Sequence, residues 1–244
     1  MAYKPYTEWH VPIALIVHCI SERKLQELKL YLWLKACSSG KIKLDDYQIQ
    51  SVSLILDVTT YRTKSSLNKL ISYNWLGYNP KSKYYFIRSF DKVRIMEQLK
   101  QRRSAVFCLN DLKNFPAWCG GAFYAYLYKL RKGANYKHDF LKGKSKQAYN
   151  APSFLPVATA GVERIFQLSR ATATRYKLLA KRAGYLEVEH RFKKLGVPKS
   201  EIKYFREGVP SWYNQKLVLI KGELYEQLPD VVLPHISLSK RKSL

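Results

Sequence analysis

Apolar residues recur at helical spacing in some stretches of this chain and alternate in others. Val11 to Ile20 is an almost unbroken apolar run, and its length predicts a buried strand. Ser21 is placed to cap a helix whose core stripe is Leu25, Leu28, Leu32 and Ala36, joined by Trp33, and which ends near Cys37 before Ser38-Ser39-Gly40. Asp45 or Asp46 caps a second helix with Ile49, Val52 and Leu56 inward and Leu54 as a further candidate. A third helix follows the turn Asp57-Val58-Thr59. Trp75 to Tyr78 and Tyr84 to Arg88 read as antiparallel strands around the turn Asn79-Pro80-Lys81-Ser82-Lys83. Asp91 to Lys100 reads as a connecting helix, and Gln101-Arg102-Arg103 as a basic joint.

The pattern then restarts. Ala105 to Cys108 reads as a strand, and Pro116 to Lys132 as a long helix whose aromatics Phe123, Tyr124, Tyr126 and Tyr128 suit a core. Gly133 to Pro152 carries Lys137, Lys142, Lys144 and Lys146 with little apolar content, and reads as a basic loop. Leu155 to Leu168 is the next helix, with Val162, Ile165 and Phe166 inward. A long basic stretch, Arg191 to Val209, carries Lys193, Lys194, Lys199, Lys203 and Arg206. It precedes strand-like segments at Lys216 to Ile220 and Gly222 to Tyr225. Residues 1–10 read as a polar, aromatic arm, and Ser239 to Lys242 as a short basic tail.

One stretch organises the second half: SRATATRYKLLAKRAGYL, Ser169 to Leu186. Ser169 is a suitable N-cap and Gly184 a suitable C-terminal stop. At about 100° per residue, Thr172, Tyr176, Leu179 and Ala183 share one side, and Arg170, Thr174, Lys177 and Lys181 the other. Leu178 fits neither face. Tyr185 to Val188 alternates like a strand. TYRTKSSLNKLISYNWLGY, Thr60 to Tyr78, aligns with this stretch without gaps at an offset of 109 residues. Thr63 then matches Thr172, Ser65 matches Thr174, and Leu67 and Leu70 match Tyr176 and Leu179. Asn74 falls opposite Ala183, the one poor match. Tyr61, Ser65, Asn68 and Ser72 point outward here, flanked by Arg62, Lys64 and Lys69.

These two stretches resemble the winged helix-turn-helix superfamily. The resemblance implies an α+β, helix-rich chain of two tandem winged-helix domains, each with a small antiparallel β wing. The units would be residues 1–103, with the arm and connecting helix, and 104–244, with the basic loop, extended wing and tail. A division near residues 100–104 would make them separable. Two such modules in a basic chain of this size are also similar in architecture to plasmid and phage replication initiators. In those, both modules grip one face of repeated duplex DNA sites, and one module can also form a homodimer. A transcriptional regulator of similar build fits equally well. The basic loop and the long second wing depart from that pattern, and no initiator-specific motif is present.

Charge strengthens this direction. The chain has 244 residues with Lys+Arg 43 against Asp+Glu 18, a formal net charge of +25. Such an excess implies a polyanionic partner. Residues 1–100 contribute 16 basic against 8 acidic residues, and residues 101–244 contribute 27 against 10, so the second half is the stronger candidate phosphate binder. Cys19, Cys37, Cys108 and Cys119 form no C-x-x-C pair and read as buried thiols in a reducing compartment. No secretory cleavage site follows the first apolar run, which is too short to cross a bilayer. The expected location is the cytoplasm on the nucleoid, or the nucleus in a eukaryotic source, with no membrane partner.

No catalytic arrangement is specific. There is no Gly-Lys-Ser/Thr phosphate loop, no H-x-H pair beside a tyrosine, no G-x-S-x-G elbow, and no acidic cluster of a two-metal nuclease. The reading is a non-enzyme that binds double-stranded DNA and needs no cofactor or metal. The candidate contacts are Tyr61, Arg62, Lys64, Ser65, Asn68, Lys69, Lys81, Lys83, Arg170, Thr174, Arg175, Lys177 and Lys181. Lys64, Lys69, Lys81, Lys83, Arg170 and Lys181 suit phosphates. Asn68 suits adenine, and Arg170 or Arg175 guanine. An RNA-binding module is the alternative, and an enzyme with a non-local site is the third reading.

Overall fold

The computed structural model describes residues 8–100, 103–141 and 153–239. The chain is α+β with small antiparallel sheets. Its first half runs β1 (Trp9–Pro12), α1 (Ile13–Ser21), α2 (Leu25–Cys37), β2 (Lys41–Lys43), α3 (Asp46–Leu56), α4 (Thr60–Ser72), β3 (Leu76–Asn79), β4 (Tyr84–Ile87) and α5 (Phe90–Met96). Its second half runs β5 (Ser104–Phe107), α6 (Phe115–Leu141), β6 (Leu155–Pro156), α7 (Thr159–Phe166), α8 (Arg170–Arg182), β7 (Leu186–Lys194), α9 (Ile202–Gly208), α10 (Ser211–Asn214), β8 (Leu217–Ile220), β9 (Glu223–Pro234) and β10 (Leu238–Ser239).

The two halves share one plan. In the first, helix, strand, helix, helix, strand and strand follow as α2–β2–α3–α4–β3–β4, and the last strand is central in the order β2-β4-β3. In the second, α6–β6–α7–α8–β7–β9 repeats that order, and the sheet is again β6-β9-β7. The long β9 carries β7 along one edge, while β6 pairs with its Val231-Val232 end and β8 with its Glu223–Glu226 end.

The structural repeat is offset by 110 residues, one more than the sequence alignment gives. The N-caps are Thr59, which accepts from the Arg62 amide, and Ser169, which accepts from the Thr172 amide. Two residues before each cap, Asp57 (φ 55°) and Gln167 (φ 57°) are left-handed. After each helix, Asn74 (φ 59°) and Gly184 (φ 77°) are left-handed again, and Trp75 N and Tyr185 N each close back on a carbonyl, of Leu70 and Ala180, at 2.9 Å. Asn74 therefore corresponds to Gly184. Both are residues that tolerate positive φ, and the poor match of the 109-residue alignment disappears. The buried positions agree: Thr63 with Ala173, Ser66 with Tyr176, Leu67 with Lys177, Leu70 with Ala180, and Leu76 with Leu186. Val52 with Val162 and Leu56 with Phe166 extend the match backwards. The hydroxyl matches that favoured 109 pair residues that do not take equivalent places.

Other expectations change: the helix expected over Leu155 to Leu168 is a short strand, Leu155–Pro156, followed by α7 over Thr159–Phe166. The apolar run Val11 to Ile20 is four residues of β1 ending at Pro12, then α1, so Ser21 ends a helix where it was expected to begin one. A continuously apolar decade has no period, and a buried helix satisfies it as well as a buried strand. Leu54 faces solvent at 77% exposure, while Ile49, Val52 and Leu56 are buried. The long helix α6 runs to Leu141, so the first part of the expected basic loop, including Lys137, is helical. Lys142, Lys144 and Lys146 lie outside the described residues, as do residues 1–7 of the arm and 240–244 of the tail.

The joint near Arg103 is crossed by packing. β5 lies between β1 and β10, with Trp9 opposite Phe107, Pro12 opposite Ser104 and Leu238 opposite Ala105. Ile13 N donates to Arg103 O at 3.0 Å. α1 packs on α6, and one cluster of buried apolar side chains continues from Val11 to Val232. At its centre α8 lies close on α6. A Cβ at Gly120 would come within 2.4 Å of the Tyr176 carbonyl oxygen, and one at Gly121 within 2.7 Å of Ile236 and Tyr185 side chains. Gly120→Ala gains about 1 kcal/mol of helix propensity. The clash is with main chain, which cannot swing aside, so the net loss is expected to be about 2–3 kcal/mol. A chemical denaturation curve checks this: a variant as stable as the parent would show that the two helices can separate freely.

Candidate nucleic-acid interface

The candidate surface is carried by α4 and α8. On α4 the buried stripe is Thr63, Ser66, Leu67 and Leu70, which leaves Tyr61, Arg62, Lys64, Asn68, Lys69 and Ser72 exposed and Ser65 half-buried. Ser53 on α3 donates to Thr63 Oγ1 at 2.8 Å, so a buried hydroxyl pair fixes the rotation of α4 against α3. Tyr61, in the first turn, is 83% exposed. The polar face expected of this helix is the face that the structure presents.

The second helix is rotated from its expected setting. The buried stripe of α8 is Ala173, Tyr176, Lys177 and Ala180, not Thr172, Tyr176, Leu179 and Ala183. Arg170, Ala171, Thr174, Arg175, Leu178, Lys181 and Arg182 are exposed. Arg182 was not among the expected contacts, although it joins Lys181 in the last turn. The Arg175 guanidinium lies 5.2 Å from the centre of the Tyr176 ring.

Lys177 is the main correction. Expected on the outward face, it is 8% exposed and donates to Asp230 Oδ2 on β9. The other oxygen of Asp230 is 2.8 Å from His190 Nδ1 on β7. Burial alone would raise the Asp230 pKa, but hydrogen bonds from Lys177 and His190, with their charges, hold it below the ordinary carboxylate value. The group ties α8 to both strands behind it, and the Lys177 ammonium has its partner inside the protein.

Lys69 is committed in a similar way. Its Nζ donates at 3.0 Å to Glu27 on α2, whose side chain is only 5% exposed. That hydrogen bond and the charge of Glu27 raise the Lys69 pKa. Removing Lys69 would strand a buried carboxylate, so this residue anchors α4 to α2. Lys64 pairs with Asp46 at 2.7 Å, but both side chains are largely in water, where such a pair is weak and exchangeable.

The turn between α1 and α2 neighbours both helices. Lys24 Nζ lies 4.6 Å over the Tyr73 ring at the end of α4. From the same turn Ser21 and Arg23 line a polar notch with Ser169, Thr172 and Arg175 at the start of α8. The C-terminal end of α4 and the N-terminal end of α8 therefore flank one three-residue turn. Lys24 is itself held by Glu97 at 3.7 Å and hydrogen-bonded to His18, while Glu97 also accepts from Trp75 Nε1 at 2.7 Å. No sequence signal marked this turn.

Lys81 and Lys83 are exposed on the turn between β3 and β4. The turn is built by Asn79, whose side chain accepts from the amides of Lys81 and Ser82, and by left-handed Lys83 (φ 57°). None of the four cysteines is in a disulfide; Cys19 and Cys119 are buried, which raises their pKa well above the ordinary value, while Cys37 and Cys108, also expected to be buried, are half-buried. Among the described residues no three His, Cys, Asp or Glu side chains could together hold a metal ion, and no helix is long and apolar enough to cross a membrane. Searches against protein-family models, curated proteins and solved structures find no match for this chain.

Proposed function

We propose that this protein binds duplex DNA through two tandem winged-helix modules, with α4 and α8 as recognition helices, as a replication initiator of plasmid or phage type or a transcriptional regulator. The observation that carries the reading is the repeat itself. The same order of elements recurs with a central last strand, and each copy contains, just before its last strands, a capped helix with one buried face and one polar or cationic face. An exposed helix of about 10–12 Å diameter matches the width of a major groove. That one end of each helix neighbours the α1–α2 turn supports engagement of one continuous stretch of duplex. Arg62, Lys64, Lys81, Lys83, Arg170, Arg175, Lys181 and Arg182 supply phosphate or guanine contacts, and Tyr61, Ser65, Asn68 and Thr174 supply neutral ones. Lys69 and Lys177 are assigned to the fold.

Selection of bound sites from random duplex DNA tests this reading, with structured RNA of equal charge as competitor. A discrete site of one or two helical turns is expected. RNA competing as well as that site would favour an RNA-binding module. The two helices differ in the expected response. Asn68 offers a donor and an acceptor without charge, so Asn68→Ala should cost about 1–3 kcal/mol at the selected site and relax one base position. Lys181 lies in the last turn, so Lys181→Ala should weaken all duplexes alike and lower the salt slope by about one unit. If Asn68→Ala changes neither site nor affinity, α4 reads no base and only one reading module remains.

A further inference from the structure

The second wing carries a segment that the duplex reading leaves unused. Between β7 and β8 the chain forms α9 and α10, and neither helix buries a single side chain. The segment adds no fully buried side chain to the core, although Ile202, Phe205, Val209 and Tyr213 are half-buried within it. Two of its aromatics are exposed, Tyr204 on α9 at 72% and Trp212 on α10 at 63%, beside Phe192 on β7 at 42%, while Phe205 and Tyr213 are half-buried. Cations are interleaved with them. Residues 191–222 contain 8 Lys+Arg and 2 Asp+Glu. Lys199, Lys203 and Arg206, with one acid, Glu207, line a groove with Ile202 and Leu219. Arg206 Nε donates to Asn214 Oδ1 at 2.9 Å, which ties α9 to α10, and Lys216 Nζ lies 5.3 Å from the Trp212 ring centre.

Exposed aromatic faces among cations fit a chain of phosphates with accessible bases. A duplex hides its base faces by stacking and offers little to Trp212 or Tyr204. A single strand offers both parts, and base stacking on an aromatic side chain is tolerant of sequence. We infer that the α9–α10 insertion of the second wing is a binding site for single-stranded nucleic acid, with Trp212 and Tyr204 as stacking platforms and Lys199, Lys203 and Arg206 meeting the backbone. The site is separate from α4 and α8 and does not depend on their function.

The test uses the full chain and a 20-nucleotide oligothymidylate, which cannot form a Watson–Crick duplex with itself. Trp33, Trp75 and Trp118 are buried and Trp9 is half-buried, so Trp212 is the tryptophan most open to quenching by a stacked base. Oligothymidylate is expected to quench the emission. Trp212→Ala should remove most of that quenching and weaken binding, followed by anisotropy of a labelled strand, about ten- to hundredfold. Trp212→Phe should restore much of the affinity, because it keeps an aromatic face. An abasic strand of the same length should bind the parent protein no better than oligothymidylate binds Trp212→Ala. Binding of the abasic strand as tight as that of oligothymidylate would overturn the proposal, since charge alone would then suffice. Tighter binding of polyglutamate of matching charge would also overturn it, in favour of an acidic protein partner. Duplex binding at the selected site, measured in parallel with Trp212→Ala and Asn68→Ala, separates the two readings: the first variant should lose only the single strand and the second only the duplex site.

Discussion

Asp230→Ala is expected to destabilise the protein by about 3–5 kcal/mol at neutral pH, because it leaves the buried Lys177 ammonium without its counter-charge. The loss is large because water cannot replace the carboxylate on the buried face of α8, where the Lys177 side chain is only 10% exposed. The double substitution Lys177→Met with Asp230→Leu should recover most of the stability, since an apolar pair carries no desolvation penalty. The acid response follows from the same site. Asp230 is held below its ordinary value, so its stabilising contribution is complete above the unfolded-state value near 3.9 and is lost as pH falls through the folded-state value. The parent should therefore lose more stability than the double variant as pH is lowered from about 5 to 3. Urea denaturation at several pH values measures both effects. A cost below about 1 kcal/mol for Asp230→Ala would mean that Lys177 reaches water and is not buried in solution.

Raising salt from about 50 to 200 mM should weaken duplex binding by about three to four orders of magnitude. With Lys69 and Lys177 withdrawn, the candidate surface still carries Arg62, Lys64, Lys81, Lys83, Arg170, Arg175, Lys181 and Arg182. Engagement of about six to eight phosphates gives a slope of log K against log salt near −5 to −7. Anisotropy titrations with a labelled duplex at four or five salt concentrations measure it. A slope shallower than about −2 would mean that the charge of +25 serves something other than duplex phosphates. Lys177→Met offers an internal check. If Lys177 met a phosphate, its loss would lower the slope by about one unit; as a buried anchor, it should leave the slope in place while lowering stability.

Local signals in the chain were sufficient for much of the fold. The cap at Asp45, one of the two candidates, the Ser169 cap, the Gly184 stop and the Asn79 turn all form as the residues suggest, because each depends on hydrogen bonds within a few residues. The polar face of α4 was readable because Thr63, Leu67 and Leu70 leave one setting of the helix that buries them. The existence of a repeat was also readable, while its register was not. Matches between hydroxyl residues, Thr63 with Thr172 and Ser65 with Thr174, gave 109, and the backbone, through left-handed Asp57 and Gln167 and then Asn74 and Gly184, fixes 110.

Tertiary structure alone decided the rest. The rotation of α8 depends on Asp230, 53 residues away, which draws Lys177 inward against its hydropathy. The helical state of Ile13–Ser21 depends on burial on all sides, which removes the periodicity that distinguishes helix from strand. The assignment of Lys69 depends on Glu27, 42 residues earlier. The approach of α8 to α6 depends on what lies opposite Gly120, and the placement of one turn, Glu22–Lys24, beside both α4 and α8 depends on packing between the halves. In each case the deciding energy comes from a partner distant in sequence. Pattern within a window reports the chain's own periodicity, but a charge or a glycine acquires its role only from the group that packing places against it.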